Sequence, residues 1–242
     1  MSTHPVPEYV GQLPLVLLPG MNCSARLWTG LDLGPAVIPA LTEPDLGEQV
    51  TRLLDELPPR FALAGLSLGG IVAMALVRTA PERVSRLCLL STNPHGPTRQ
   101  QLDGWRLQRD RLASGTTARE IQRDLLPLLL TAESLQSRPD LVDTTLTLAD
   151  EAEGDLDAQL ALQATRIDER PGLGAVSCPT LVLAAREDRL CSLDRHREIA
   201  ALVPGAELRI LERTAHLSPV ERPNAVAAAM SAWIAGSTPA AR

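Results

Sequence analysis

The sequence predicts an α/β fold in which helices cover both faces of a mostly parallel sheet. Short apolar runs alternate along the chain with segments of helical spacing, and this alternation is typical of α/β folds. The run at residues 13–18 is apolar throughout rather than at every second position, as expected for a central strand buried on both faces. With 242 residues, 45% of them hydrophobic, the chain is long enough for one such domain with a sizeable core.

Six apolar runs are the candidate strands, and the second is the weakest of them. They cover residues 13–18, 36–38, 61–66, 84–90, 180–185 and 207–211. Helical patterns accompany them at residues 45–57, 69–79, 193–202 and 223–234. Asp45 is a suitable N-cap for the first helix, which Pro58-Pro59 ends, and Pro223 suits the first turn of the last.

Residues 98–171 interrupt this alternation of strands and helices. They contain no convincing strand, and their Leu and Ile residues recur at helical spacing between Gly and Pro residues. We therefore predict three or four helices inserted between two strands as a cap over the carboxyl edge of the sheet. In this division residues 1–97 and 172–242 form the core, and residues 171–179 form the linker that returns to it.

Composition and charge exclude several classes of partner. The net charge is −6 and all 23 basic residues are Arg, whereas nucleic-acid binding needs clustered positive charge, so no nucleic-acid partner is expected. No apolar run approaches the length of a membrane span, and residues 1–10 lack the features of a targeting segment. The four Cys residues have no CxxC spacing, which argues against a disulfide framework or a zinc site. We expect a cytoplasmic protein without a membrane partner, and the sequence leaves its oligomeric state open.

The segment at residues 65–69, Gly-Leu-Ser-Leu-Gly, matches the pattern G-x-S-x-G of a nucleophilic serine on a sharp turn from strand to helix. An apolar strand pattern precedes it and an apolar helical pattern follows, which is the context that this motif requires. Ser67 is therefore the candidate nucleophile. The alternative interpretation is a serine that caps a helix at a glycine turn.

A serine hydroxyl needs a general base before it can attack a carbonyl carbon. The chain has four histidines, which are His4, His95, His196 and His216. His216 is the candidate base because it follows the last strand, at the sheet edge where sites form. His4 lies near the terminus, and His196 is expected on the surface because it stands in a polar helical stretch between two arginines.

The imidazole needs a carboxylate that fixes its tautomer and stabilises its cation. Asp188 follows the strand at residues 180–185 and is the candidate, although the spacing also allows Glu187. The backbone N–H of Leu68, next to Ser67, is the first candidate oxyanion donor. The N–H of Met21, in the loop after the first strand, is the second.

Taken together, these motifs resemble those of the α/β-hydrolase superfamily over nearly the whole chain. The similarity is greatest to small bacterial esterases, lactonases and thioesterase-like members with a compact helical cap. Along this chain Ser67 comes first, then Asp188 and then His216, which is the order found in that superfamily. Most relatives carry His-Gly where this chain has Pro19-Gly20, and relatives that cleave carbon–carbon bonds often carry Asn where it has Leu66.

The resemblance implies a serine hydrolase that cleaves an ester, lactone or thioester through an acyl-enzyme, with neither metal nor organic cofactor. Few residues are aromatic, so we expect an apolar pocket for a small substrate, with Trp28 and Trp105 as its large contacts. Three alternatives stay open. They are a carbon–carbon bond hydrolase, a biosynthetic cyclase or lyase that uses the triad as acid and base, and a catalytically silent receptor or partner.

Overall fold

The structure is a computed structural model that describes residues 13–152 and 154–236. In these residues six strands form one sheet in the order β2-β1-β3-β4-β5-β6, and every neighbouring pair is parallel. The strands are β1 (Leu15–Leu18), β2 (Ala36–Val37), β3 (Phe61–Leu66), β4 (Val84–Leu90), β5 (Thr180–Ala185) and β6 (Glu207–Leu211). The predicted parallel sheet is confirmed, and the last four strands have the predicted bounds.

Consecutive residues of each strand point to opposite faces of the sheet, and both faces are covered. In β1, for example, Val16 and Leu18 belong to one buried cluster while Leu15 and Leu17 belong to another. The first cluster includes residues of three helices, α1 (Leu46–Glu56), α2 (Leu68–Thr79) and α9 (Leu193–Leu202). The second includes α11 (Pro223–Ala235) and the 3₁₀ helix Ala25–Leu31. This double covering explains why a central strand such as β1 is apolar throughout.

The helices of the core begin and end where the sequence predicts, within one or two residues. The carboxylate of Asp45 accepts hydrogen bonds from the N–H groups of Gly47 and Glu48, which confirms it as the N-cap of α1. Pro223 occupies the first turn of α11. A short helix, α10 (Ser218–Glu221), follows β6 and was not predicted.

Residues 98–173 form the helical segment between β4 and β5, so its last helix includes the first three residues of the predicted linker at 171–179. Its helices are α3 (Arg99–Ala113), α4 (Ala118–Leu129), α5 (Ala132–Ser137), α6 (Pro139–Glu151), α7 (Leu156–Thr165) and α8 (Arg170–Leu173). The predicted number of three or four is therefore wrong. The threonines before α3, α4 and α5 each cap a helix with the side chain, so each marks a new start that periodicity alone does not show. Within the described part of the chain, no helix has both the length and the apolar character needed to cross a membrane.

Candidate active site

Ser67 lies on the turn between β3 and α2, in a backbone conformation that non-glycine residues rarely adopt. Its φ is 54° and its ψ is −111°. The Ser67 N–H donates to the carbonyl of Leu90 on β4 at 2.9 Å, and the Ser67 carbonyl accepts a hydrogen bond from Thr92 Oγ1 at 2.8 Å. Such strain persists only where the surrounding structure holds it, and here the last residue of β4 and the loop directly after β4 supply the two contacts.

Two glycines make this turn possible because the chain passes very close to itself. A Cβ atom on Gly65 would collide with the backbone of Gly69, and one on Gly69 would collide with the carbonyl of Leu18 on β1. The motif therefore has the close approach of strand and helix that G-x-S-x-G requires. The turn raises Ser67 at the carboxyl edge of the sheet, at the N-terminus of α2, whose dipole favours negative charge.

Asp188 and His216 form a buried pair at the same edge. His216 Nδ1–H donates to Asp188 Oδ2 at 2.9 Å, and the other carboxylate oxygen accepts the N–H groups of Leu190 and Cys191. Burial raises the pKa of the Asp188 carboxyl, but His216 and the Cys191 N–H outweigh this effect, so its pKa lies below the ordinary value. The carboxylate therefore stays ionised and orients the imidazole. Glu187, the alternative acid, is exposed.

The structure does not join Ser67 and His216 by a hydrogen bond. Among the described residues, Ser67 Oγ has no hydrogen-bond partner, and His216 bonds through Nδ1 only. The other ring nitrogen of His216 is thus left for a proton from a reacting group. Catalytic hydrogen bonds are often long in the absence of substrate, so this geometry is compatible with a role as a base.

His196 contradicts its predicted surface position, since it is fully buried on α9 beneath the site. Its Nε2 accepts the N–H of Thr92 at 3.0 Å, and its Nδ1–H donates to the carbonyl of Ser192. Burial lowers the pKa of His196, which is therefore held neutral. Thr92 in turn holds the Ser67 carbonyl, so His196 supports the turn. The arginines on either side misled the prediction, because a single step along a helix changes the direction of the side chain by about 100°.

The loop after β1 lies directly against Ser67. A Cβ atom on Gly20 would lie 3.6 Å from the Ser67 Cβ. Among residues 13–152 and 154–236, no acceptor takes the N–H of Met21 or of Leu68. Both predicted oxyanion donors are therefore unoccupied beside the candidate nucleophile.

Asn22, which sequence reasoning missed, fixes this loop to the helical segment. It is buried with a φ of 57°, and its N–H donates to Gln159 Oε1 on α7 at 2.7 Å. Its side-chain amide donates to Gln122 Oε1 and to the carbonyl of Ala118, both on α4. The backbone next to Met21 is thus held by two helices more than 90 residues away in sequence.

Glu221 fixes the loop that carries His216 in a similar way. Its buried carboxylate accepts the N–H of Ala215, directly before His216, at 2.6 Å. It also accepts hydrogen bonds from Thr131 and from the hydroxyl of Ser134, both in the helical segment. No local pattern of the sequence indicates this role for Glu221.

The two tryptophans predicted to contact substrate lie in different surroundings. Trp28, on the 3₁₀ helix Ala25–Leu31, is buried in the second core cluster, and its Nε1 has no hydrogen-bond partner among the described residues. Trp105 on α3 is partly buried and packs with Met21 against a small apolar cluster of the helical segment. Trp105 also lines a groove of about 800 Å³ between α3 and α7. That groove is lined by neither Ser67 nor His216, so its size does not make it the reacting site.

Two other groups of side chains have the chemistry of metal ligands or of bases. The sulfur of Cys191 lies within 4.8 Å of ligand atoms of Asp188 and His216, a grouping that could hold a metal ion. The hydrogen bonds of Asp188 and His216 account for the grouping without one, and burial raises the pKa of the Cys191 thiol well above its ordinary value. His95 pairs with Glu198, while His4 lies outside the described residues.

Comparison with known proteins identifies the family. The model of the alpha/beta hydrolase family matches residues 15–229. The chain belongs to this family. Two solved α/β-hydrolase structures superpose on nearly its whole length. An esterase of Thermogutta terrifontis does so with a TM-score of 0.83 and 22% identity, over 93% of this chain and 90% of the esterase. The enol-lactonase of Burkholderia xenovorans has a TM-score of 0.79 and 20% identity, over 94% of each chain.

Curated relatives are similar in sequence over a smaller part of their length. A 2-hydroxy-6-oxononadienedioate/2-hydroxy-6-oxononatrienedioate hydrolase of Cupriavidus pinatubonensis is 28% identical over 179 residues. This match covers 70% of the chain and 61% of the relative, so the chain spans about three fifths of that α/β-hydrolase. A 3-oxoadipate enol-lactonase of Acinetobacter baylyi is 26% identical over 74% of the chain and 66% of the lactonase.

Proposed function

We propose that the protein is a serine hydrolase of small carboxylic esters, lactones or thioesters. One observation carries the proposal: a buried Asp188–His216 pair lies at the sheet edge that holds Ser67 in its strained turn. The hydrolases and lactonases among its relatives support the same reaction class. No step of this mechanism needs a metal or an organic cofactor.

The first half of the reaction forms an acyl-enzyme. Ser67 Oγ attacks the carbonyl carbon while its proton passes to the free ring nitrogen of His216. Asp188 stabilises the resulting imidazolium, and the N–H groups of Met21 and Leu68 stabilise the oxyanion. The bond from carbon to the leaving group then breaks, and the leaving group takes the proton from His216.

The second half of the reaction adds water. His216 removes a proton from a water molecule, whose oxygen attacks the acyl carbon. The bond from that carbon to Ser67 breaks, and the proton passes from His216 back to Ser67 Oγ. The net change is the addition of one water across the ester, lactone or thioester bond, which leaves the enzyme unchanged.

We also propose that the helical segment is the cap of this site. Its helices α4 and α7 hold the loop of Asn22, and residues of its α5 region hold the carboxylate of Glu221. Its apolar cluster packs against Met21 and Trp105. This contact supports Trp105 as a substrate contact, while the burial of Trp28 supports at most a role in one wall of the pocket.

The nucleophile is tested by a Ser67→Ala variant on short-chain aryl esters. We expect turnover to fall by at least about 10³-fold, because the other groups retain only part of the catalysis. Ser85→Ala is the matched control, since the Ser85 hydroxyl bonds to the Phe61 carbonyl at the far end of the sheet. Unchanged turnover in Ser67→Ala would contradict the assignment.

Labelling with a fluorophosphonate separates the alternatives. An activated Ser67 reacts with this probe, whereas Ser67 does not react if the protein is catalytically silent. Labelling together with ester turnover supports hydrolysis. Labelling without turnover of any ester would favour the cyclase, lyase or carbon–carbon hydrolase readings.

A further inference from the structure

Arg166, directly after α7, is a buried cation without an anionic partner. Arg166 is only 5% exposed, and no other arginine among the described residues is buried. Its Nη1 donates to Gln163 Oε1 at 2.7 Å and its Nη2 to Gln101 Oε1 at 3.0 Å. Both acceptors are neutral amides. Its Nε is buried and has no partner in the part of the chain that the structure describes.

Arg166 differs from two other arginines in the depth of its burial. Arg83 also lacks a carboxylate partner among the described residues and has a buried Nε without a partner, but it is only half-buried. Arg78 pairs with the buried carboxylate of Glu169, and Arg83 donates to three backbone carbonyls, those of Leu54, Leu57 and Pro58. Arg166 has no carboxylate within 4.0 Å among the described residues, and burial lowers the pKa of its guanidinium. A buried ion without a counter-ion is unfavourable, so its retention indicates that something else supplies the negative charge.

Its position relates Arg166 to both halves of the candidate site. The guanidinium lies over the ring of Trp105 at 5.0 Å, and Trp105 packs with Met21 against the same apolar cluster. On the other side, the charge of Arg166 lowers the pKa of the Cys191 thiol, although burial of that thiol raises its pKa by more. The thiol lies within 4.8 Å of ligand atoms of Asp188 and His216. Arg166 is therefore linked through Trp105 to the surroundings of the oxyanion loop and through Cys191 to those of the acid–base pair.

We propose that Arg166 binds a carboxylate of the substrate, which makes the substrate class esters, lactones or thioesters of carboxylate-bearing acids. This inference rests on the proposed function and specifies its substrate. A guanidinium has five N–H donors, of which the two glutamines take two. They hold its plane against Trp105 and leave Nε and further N–H groups for two carboxylate oxygens.

The test uses two substrates that differ in one charge. They are mono-4-nitrophenyl glutarate and its neutral methyl ester, methyl 4-nitrophenyl glutarate. We expect wild-type kcat/KM to be higher for the anion, and Arg166→Met to lower it roughly 100-fold for the anion while the neutral ester changes by no more than about threefold. Arg109→Met on α3 is the matched control, because it removes an arginine that pairs with Asp157 on the surface.

Arg166→Met keeps an unbranched apolar stem on Trp105 and removes a buried charge, a change that folds of this kind often tolerate. A measurement without any variant covers a failure to fold. Glutarate should bind wild-type protein in isothermal titration calorimetry, whereas neutral glutaramide should not. Binding of both molecules alike, or an equal loss on both esters in Arg166→Met, would overturn the inference.

These outcomes are distinct from a failure of the proposed function. If neither ester is hydrolysed and fluorophosphonate leaves Ser67 unlabelled, the hydrolase proposal fails, and glutarate binding alone then decides the role of Arg166. If both esters are hydrolysed equally by wild type and by Arg166→Met, the hydrolase proposal stands and the carboxylate site is refuted. Arg166→Lys should keep part of the preference for the anion, since it keeps the charge but not the planar fork.

Discussion

The sheet and the helical segment contribute to the candidate site by different means. The sheet provides Ser67, Asp188 and His216, each within five residues of the end of a strand. The helical segment provides buried polar side chains that bond to loops of the core. These side chains are Gln122 and Gln159 towards Asn22, and Thr131 and Ser134 towards Glu221. Within the segment itself, Gln101 and Gln163 bond to Arg166.

The candidate reacting groups are therefore placed by the sheet, whereas residues of the helical segment hold the loops around them. In the proposed mechanism the groups placed by the sheet take part in bond making, and their positions follow from backbone geometry that parallel sheets share. Groups placed by the helical segment hold the oxyanion loop and the histidine loop, and they meet the one buried arginine among the described residues. Changes in the two regions should therefore differ in kind as well as in size.

The largest effect should come from the sheet, in an Asp188→Asn variant. The amide keeps the shape but cannot hold the Nδ1–H tautomer or stabilise the imidazolium, so we expect kcat to fall by about 10⁴-fold. Steady-state kinetics on an aryl ester measure this fall. Glu187→Gln is the control, because the neighbouring carboxylate is exposed. Equal losses in the two variants would remove Asp188 from its role.

The contribution of the sheet was predictable from sequence because it depends on local order. An apolar strand, a glycine turn and an apolar helix define Ser67, and the two strand ends define Asp188 and His216. Four strand bounds agree with the prediction for the same reason. Even Glu187 and Asp188, which spacing could not separate, differ simply in whether the side chain points inward.

The contribution of the helical segment was not predictable because its contacts are between side chains far apart in sequence. Asn22 and Gln159 are 137 residues apart, and neither stands in a motif. Leu107 fits the apolar spacing of α3 yet is 62% exposed, so this spacing alone does not identify the face of α3 that points inward. The prediction for His196 was wrong for a related reason. Its polar neighbours in sequence face solvent, whereas His196 faces the sheet.

A smaller effect should come from the helical segment, in a Gln159→Ala variant. It leaves the buried Asn22 N–H without its acceptor, which lowers the free energy of unfolding by about 1–3 kcal/mol. It also loosens the adjacent Met21 N–H, so we expect kcat to fall roughly 10- to 100-fold, less than the loss of a whole oxyanion donor. Denaturant unfolding and steady-state kinetics measure the two effects.

Gln49→Ala is the matched control for Gln159→Ala. Gln49 is equally buried, and its Oε1 accepts the N–H groups of Thr42 and Glu43 away from the site. We expect a similar loss of stability and an unchanged kcat. If both variants lower kcat alike, the helical segment acts through stability alone, and the contrast between the two regions disappears.

The smallest effect concerns His196, a core residue that supports the site without touching it. Its pKa is lowered in the folded protein, so below about pH 6.5 the unfolded chain binds a proton that the folded chain does not. The free energy of unfolding therefore falls as pH drops from 7 to 5, by at most about 1.4 kcal/mol per pH unit from this one group. The lowered pKa of Asp188 acts in a separate window, because stability from it is lost only near and below its ordinary value of 3.8.

A His196→Gln variant isolates this contribution. The glutamine oxygen can still accept the N–H of Thr92, so the turn beneath Ser67 keeps its support, while the group that titrates is gone. Urea unfolding at pH 7 and pH 5 should show a smaller loss of stability in the variant than in wild type, with kcat near pH 8 changed little. An identical loss in both proteins would mean that His196 does not resist protonation. The support beneath Ser67 would then be an ordinary contact of the sheet rather than one that depends on a neutral imidazole.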